Sequence, residues 1–172
     1  IVEPSGRLPL SVPRHVGQQP VYYNRVRGQH GDRYADLTQD PLFAFGEGLS
    51  YTTVEYRDVT VIDSVIPVDG VLRADVTVVN TGDRPALETV QGYVVDLVTS
   101  VTWAEQELKT WEQVQLAPGE SRTVRLTIPA GDCTIVDAEG RRVVECGDFE
   151  LLVGPSSRRR DQLGVSFAIA PG

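Results

Sequence analysis

The chain is 172 residues long, 41% hydrophobic and 23% charged, with a net charge of −8 from 24 acidic and 16 basic side chains. That length suits one domain plus an extension. The acidic balance excludes a phosphate-tracking nucleic-acid surface, which needs clustered Lys and Arg, and the lack of an apolar run of ~18 residues excludes a membrane-spanning helix.

Residues 1–51 read as a tail and linker. Leu8, Leu10 and Val12 alternate with Arg7, Pro9 and Ser11, which predicts one short strand, confined to a sheet edge by its prolines. Arg25 to Asp36 is charged and carries Gly28 and Gly31, so it reads as an exposed loop. Pro41 to Tyr56 is the junction. Gly46 and Gly48 permit a tight connection, and Phe43, Phe45, Leu49 and Tyr51 give it apolar anchors, so it should be packed rather than loose. The tail's apolar residues Leu8, Leu10, Val12, Val21 and Tyr22 are expected to pack on the same chain, or to pair with a second copy.

Residues 52–172 have period two. Leu72, Ala74, Val76 and Val78 alternate with Arg73, Asp75 and Thr77. Residues 89–98 are apolar on both faces, as in a central strand. Val124, Leu126 and Ile128 form another inward set, followed by Phe149, Leu151 and Val153, then Val165, Phe167 and Ile169. Turn signals punctuate the runs at Asp69-Gly70, Asn80-Thr81-Gly82, Pro118-Gly119, Glu139-Gly140 and Gly147-Asp148. The fold class is all-β: an immunoglobulin or fibronectin type III-like antiparallel β-sandwich of about seven or eight strands with an extended N-terminal tail. Some twenty inward side chains at ~1.5–3 kcal/mol each should hold it without metal or cofactor.

Candidate chemical groups are sparse. Asp132, Asp137, Glu139, Glu145 and Asp148 flank turns, where carboxylates serve local hydrogen bonds. Asp32, Asp36 and Asp40 lack the Gly and terminal Glu of a calcium loop, and His15 and His30 have no ligand spacing. Arg158-Arg159-Arg160 reads as a solvated loop. A two-residue loop at Glu139-Gly140 would set Cys133 directly opposite Cys146, with Cβ atoms ~4.5–5.5 Å apart, close enough for a disulfide after a small inward shift. The competing reading is two reduced thiols.

Phe45-Gly46-Glu47-Gly48-Leu49-Ser50-Tyr51-Thr52-Thr53 resembles a run near the C-terminal end of family 3 glycoside hydrolases, the β-glucosidase and β-xylosidase type enzymes. Gly6-Arg7-Leu8-Pro9, Pro13-Arg14 and Pro20-Val21-Tyr22-Tyr23-Asn24 are similar to the family's upstream segment. Asn80-Thr81-Gly82-Asp83, Glu107-Leu108-Lys109, Leu116-Ala117-Pro118-Gly119-Glu120 and Gly147-Asp148-Phe149-Glu150 follow in family order. The resemblance implies that residues 1–51 close a preceding α/β sandwich domain and that residues 52–172 are the fibronectin type III-like domain. It departs from the family at Trp103, Trp111, Cys133 and Cys146, where Arg, Phe, Leu and Pro are usual. With no methionine, the chain reads as a piece of a longer protein, and no signal peptide is visible.

Family 3 enzymes retain configuration through a nucleophilic and an acid/base carboxyl group ~5–5.5 Å apart. The resemblance places both upstream, in a barrel of about 250 residues and in the α/β domain, so no catalytic residue transfers. The implied function is a non-catalytic brace for the catalytic domains. The alternatives are a carbohydrate-binding module and a β-sandwich interaction domain. The expected partners are the missing barrel and α/β domains, the β-glycoside substrate through the parent protein, and a second copy through the tail, with no nucleic acid and no membrane. Tyr22, Tyr23, Phe45, Tyr51 and Trp103 are the candidate interdomain or sugar-proximal contacts, whereas Trp111 is expected in the core.

Overall fold

The computed structural model describes residues 2–28, 33–34 and 37–172, so His30, Asp32 and Asp36 lie outside the described residues. Among the described residues twelve strands run in chain order: β1 (Arg33–Tyr34), β2 (Leu37–Thr38), β3 (Val54–Val61), β4 (Val65–Pro67), β5 (Val71–Asn80), β6 (Ala86–Asp96), β7 (Glu107–Leu116), β8 (Ser121–Pro129), β9 (Thr134–Val136), β10 (Arg142–Val144), β11 (Gly147–Gly154) and β12 (Leu163–Ala170). Eight of them form a sandwich. One sheet has the order β4-β12-β11-β6-β7 and the other β3-β5-β8. All neighbours are antiparallel except β12 and β4, which run parallel at the sheet edge.

The period-two reading sets the core. Leu72, Ala74, Val76 and Val78 of β5 meet Val124, Leu126 and Ile128 of β8, and face Val90, Val94, Phe149, Leu151, Val153, Phe167 and Ile169 of the other sheet. Each such side chain contributes ~1.5–3 kcal/mol of transfer energy. Phe149 and Phe167 pair across β11 and β12 with ring centroids 5.3 Å apart. Asn80, fully buried at the end of β5, ties the loops together. Its side-chain amide donates to the carbonyls of Arg84 (2.6 Å) and Leu116 (3.2 Å), and its oxygen accepts from the Thr52 hydroxyl (2.8 Å) and the Gly82 N–H (3.1 Å). A buried amide with all its groups paired costs little and enforces one geometry.

Two expectations change here. Trp111 is not in the core: it is 58% exposed on β7, an edge strand. It shares parity with Gln113 and Gln115, whereas Val114 and Leu116 take the inward positions. The cysteines do not face each other. Arg142 pairs with Val136 and Val144 with Thr134, one residue away from the register a two-residue turn at Glu139-Gly140 requires. The cause is a longer loop held by Asp137, whose carboxylate accepts from the N–H groups of Glu139 (3.0 Å) and Arg141 (2.8 Å). Cys133 and Cys146 are both free thiols, the first buried and the second exposed. Burial pushes the Cys133 thiol up to about 11.

Candidate interdomain site

The tail is a strap laid over the outer face of the five-stranded sheet. Leu8 donates to the Glu47 carbonyl (3.0 Å) and accepts from Gly46 N–H (2.8 Å). Val12 bridges to Phe43, and Val26 bridges to Ala104 just before β7. The short strand expected at Leu8–Val12 is therefore a pair of backbone contacts to the junction rather than an edge of the sandwich.

β6 explains why the strap sits there. Gln91 and Tyr93 occupy the face opposite to Val90 and Val94, yet both are buried. A buried amide and phenol need partners. The Gln91 side-chain amide donates to the carbonyls of Gly46 (3.0 Å) and Pro155 (2.6 Å), and its oxygen accepts from the Tyr93 hydroxyl (2.6 Å). Gly46 has φ +78, and a Cβ there would collide with Gln91 Oε1 and the Tyr93 hydroxyl. The glycine thus serves both the left-handed turn and the close approach. Phe45 stacks on Tyr23 at 4.0 Å, and Tyr23 meets the Tyr93 ring edge-on at 6.0 Å. The Tyr23 hydroxyl accepts from Leu108 N–H (3.3 Å), and burial raises its pKa.

Two largely buried ion pairs fasten the strap. Glu88 has the parity of Ala86 and Val90, so it points where apolar residues belong, and it is 6% exposed. Arg7 reaches it at 2.9 Å and the Tyr56 hydroxyl donates to it at 2.7 Å. Burial still raises the Glu88 pKa, against the pull of Arg7 and Tyr56. The second pair is Arg158 with Glu47 at 2.8 Å. Burial alone would raise Glu47, but the Ala44 N–H and the Arg158 guanidinium outweigh it and hold the carboxyl below its ordinary value. Arg158 was expected on a solvated loop, but its side chain is only 9% exposed. Arg158 also donates to the Leu42 carbonyl (3.3 Å), and Ser157 N–H donates to the Phe45 carbonyl (2.9 Å).

The five candidate contacts divide. Tyr23 and Phe45 come together under the strap. Tyr22 stays 64% exposed. Tyr51 is exposed, with the Arg84 guanidinium 5.9 Å from its ring centroid. Trp103 is half-buried, its indole N–H donating to Glu107 (3.0 Å) and its carbonyl accepting from Arg27 N–H (3.2 Å). Val16, Leu42, Phe43 and Leu49 of the strap are exposed, as are Tyr22 and Tyr51. Leu10 is also exposed, whereas Leu8, Val12 and Val21 are half-buried. Arg7, Gln91 and Arg158 escaped the sequence reading, although Glu88 at an inward position of an apolar run was a legible signal for a buried partner.

A cleft of about 530 Å³ opens between strap and sheet, with Val95, Leu97 and Leu152 on the sheet side and Tyr22, Arg25 and Pro41 on the strap side. Among the described residues no three His, Cys, Asp or Glu side chains converge as metal ligands would. Asp96 is buried at the end of β6. Burial pushes its carboxyl up to about 6, and its Oδ2 has no hydrogen-bond partner.

Comparison with known proteins adds the context of this arrangement. Residues 88–157 match the fibronectin type III-like domain family. The chain is 36% identical over 169 residues to a periplasmic β-glucosidase of Salmonella typhimurium and 38% identical over 175 residues to a β-xylosidase of Formosa agariphila, covering 92% and 98% of this chain but 22% and 24% of those proteins. Among solved structures it resembles a β-glucosidase involved in saponin metabolism from intestinal bacteria, with a TM-score of 0.93 and 53% identity over 98% of this chain and 23% of that one. It also resembles the β-glucosidase of Listeria innocua, with a TM-score of 0.86 and 29% identity over 99% of this chain and 25% of that one. The chain therefore spans 18% to 24% of the length of curated relatives it matches.

Proposed function

We infer that this chain, which carries a fibronectin type III-like domain and belongs with the family 3 glycoside hydrolases as a segment of about a fifth of their length, is a non-catalytic accessory part that braces the catalytic domains of a β-glycosidase. One observation carries this reading. The strap's backbone is pinned to its own sandwich, while Phe43, Leu49 and Tyr51 are left exposed on it. Exposed large apolar side chains on an ordered support mark an interaction face. The relatives run far beyond the segment matched here, which supports the barrel and α/β domains of the same polypeptide as the occupant. On this reading residues 1–51 end the preceding domain and residues 52–172 form the accessory sandwich. The β-glycoside substrate is handled by the parent, and the reactive carboxyl groups lie in its other domains.

The test uses a longer polypeptide that includes the upstream domains. Leu49→Asp together with Tyr51→Asp should lower its thermal stability and glycosidase activity, yet leave the melting of the 172-residue chain unchanged. Equal effects on both proteins, or none on the longer one, would overturn the bracing role. Without the upstream domains the same face is a surface for self-association, and sedimentation should then show concentration-dependent dimers that the double substitution abolishes.

A further inference from the structure

The cleft beneath the strap is lined in part by residues that fasten it, among them Tyr23 and Arg158, and its chemistry is specific. We propose that it binds a neutral saccharide, namely outer sugar units of the parent enzyme's β-glycoside. This rests on the glycosidase reading above and adds a second, non-catalytic contact with the substrate.

The first argument is shape. About 530 Å³ lies within the range of small-molecule sites. Val95 and Leu97 make an apolar floor, and Tyr22 is an aromatic wall left 64% exposed. A pyranose presents C–H groups on its face and hydroxyls around its rim, so an apolar floor with an aromatic wall and a polar rim is its complement.

The second argument is charge. Four arginines line the cleft, but they do not create an anion site. Arg25 pairs with Glu105 at 2.7 Å, Arg159 with Glu150 at 2.8 Å, and Arg158 with Glu47 at 2.8 Å. Arg27 donates to the carbonyls of Leu97 (2.9 Å) and Asp96 (2.6 Å). A phosphate or carboxylate would have to displace these carboxylates or sit beside them. A hydroxyl has no such conflict, because it accepts from a guanidinium and donates to a carboxylate at once.

The third argument is an unmet demand. The Arg158 side chain is 9% exposed, and its Nη1 has no hydrogen-bond partner. A buried guanidinium nitrogen left unpaired costs stability unless an acceptor is supplied. Arg158 lines the cleft, so a small shift of its side chain would bring Nη1 to a sugar hydroxyl, an acceptor of the right kind.

The test is a titration of the isotopically labelled 172-residue chain with cellobiose and with laminaribiose, followed by NMR. Binding should be on the order of 1 mM, as expected for one ring stacked in an open cleft with a few hydrogen bonds. The shifts should be confined to Tyr22, Arg25, Gln106, Leu152 and their neighbours. Tyr22→Ala should weaken binding ~tenfold without lowering the melting temperature, whereas Trp111→Ala should leave it unchanged. No shifts at the solubility limit of either sugar, shifts centred on Trp111, or full binding by Tyr22→Ala would each overturn the proposal. Those outcomes leave the bracing role standing, because its own test reads the longer polypeptide without added sugar.

Discussion

The sandwich and the strap are built on opposite principles. The sandwich buries contiguous apolar side chains from eight strands, and no single residue carries it. The strap covers the outer face of one sheet with few apolar contacts. It depends instead on Gln91, on the Arg7–Glu88 and Arg158–Glu47 pairs, and on the one glycine that fits against Gln91. Hydrophobic burial is non-directional and tolerates small errors, whereas a polar latch works only at one geometry. The strap should therefore open locally, below the free energy of global unfolding.

The largest effect should come from the core. Leu151→Ala removes a fully buried side chain and should cost about 2–5 kcal/mol in urea unfolding, raising exchange of strand and strap amides together. Gly46→Val should come next. It adds a left-handed penalty to a steric collision, for a total of about 2–3 kcal/mol. Its exchange pattern should separate the two regions, with amides at 6–12 and 43–48 losing protection while β5 and β8 keep theirs. Loss of protection throughout would mean that strap and sandwich are a single cooperative unit.

Arg7→Ala is a smaller and sharper probe. It removes one charged partner of Glu88 and should cost roughly 1.5–3 kcal/mol. The Glu88 carboxyl already sits above its ordinary 4.5. The folded chain therefore binds this proton more tightly than the unfolded chain does. Its contribution to stability is full below pH 4.5 and is lost as pH rises through the folded value. Arg7→Ala raises that value further, so stability should fall more steeply with pH above 4.5 than in the parent chain. An unchanged pH slope would remove Glu88 from the latch.

The smallest effect, and one confined to the sandwich, is expected from Asp96→Asn. Asp96 titrates near 6 instead of 3.8, so its favourable contribution holds below pH 3.8 and disappears through about pH 6. The amide cannot ionise. The variant should be the more stable protein at pH 7 and lose that advantage by pH 4, as measured by melting temperature.

The two regions also differ in how much the sequence reveals. Alternation in Leu72–Val78 and Val124–Ile128 is a local pattern, and it sufficed to give the inward-facing residues and the all-β class. The Cys133–Cys146 register slipped by one because Asp137 organises a five-residue connection, and a local pattern does not encode how a carboxylate closes a loop. Trp111 misled for a different reason. The core expectation came from the family aromatic at that position, whereas its parity with Gln113 and Gln115 sets it on the outer face of an edge strand.

By itself the sequence determined which residues turn inward, since alternation follows from the pleat of a strand and needs no knowledge of what lies across it. Only the tertiary structure decided that the tail crosses the outer face of β6, that Arg7 and Arg158 are buried latches, and that a cleft remains beneath. Those contacts join residues more than 80 positions apart. Their geometry depends on distances and angles set by both sheets together, which no periodicity along the chain records.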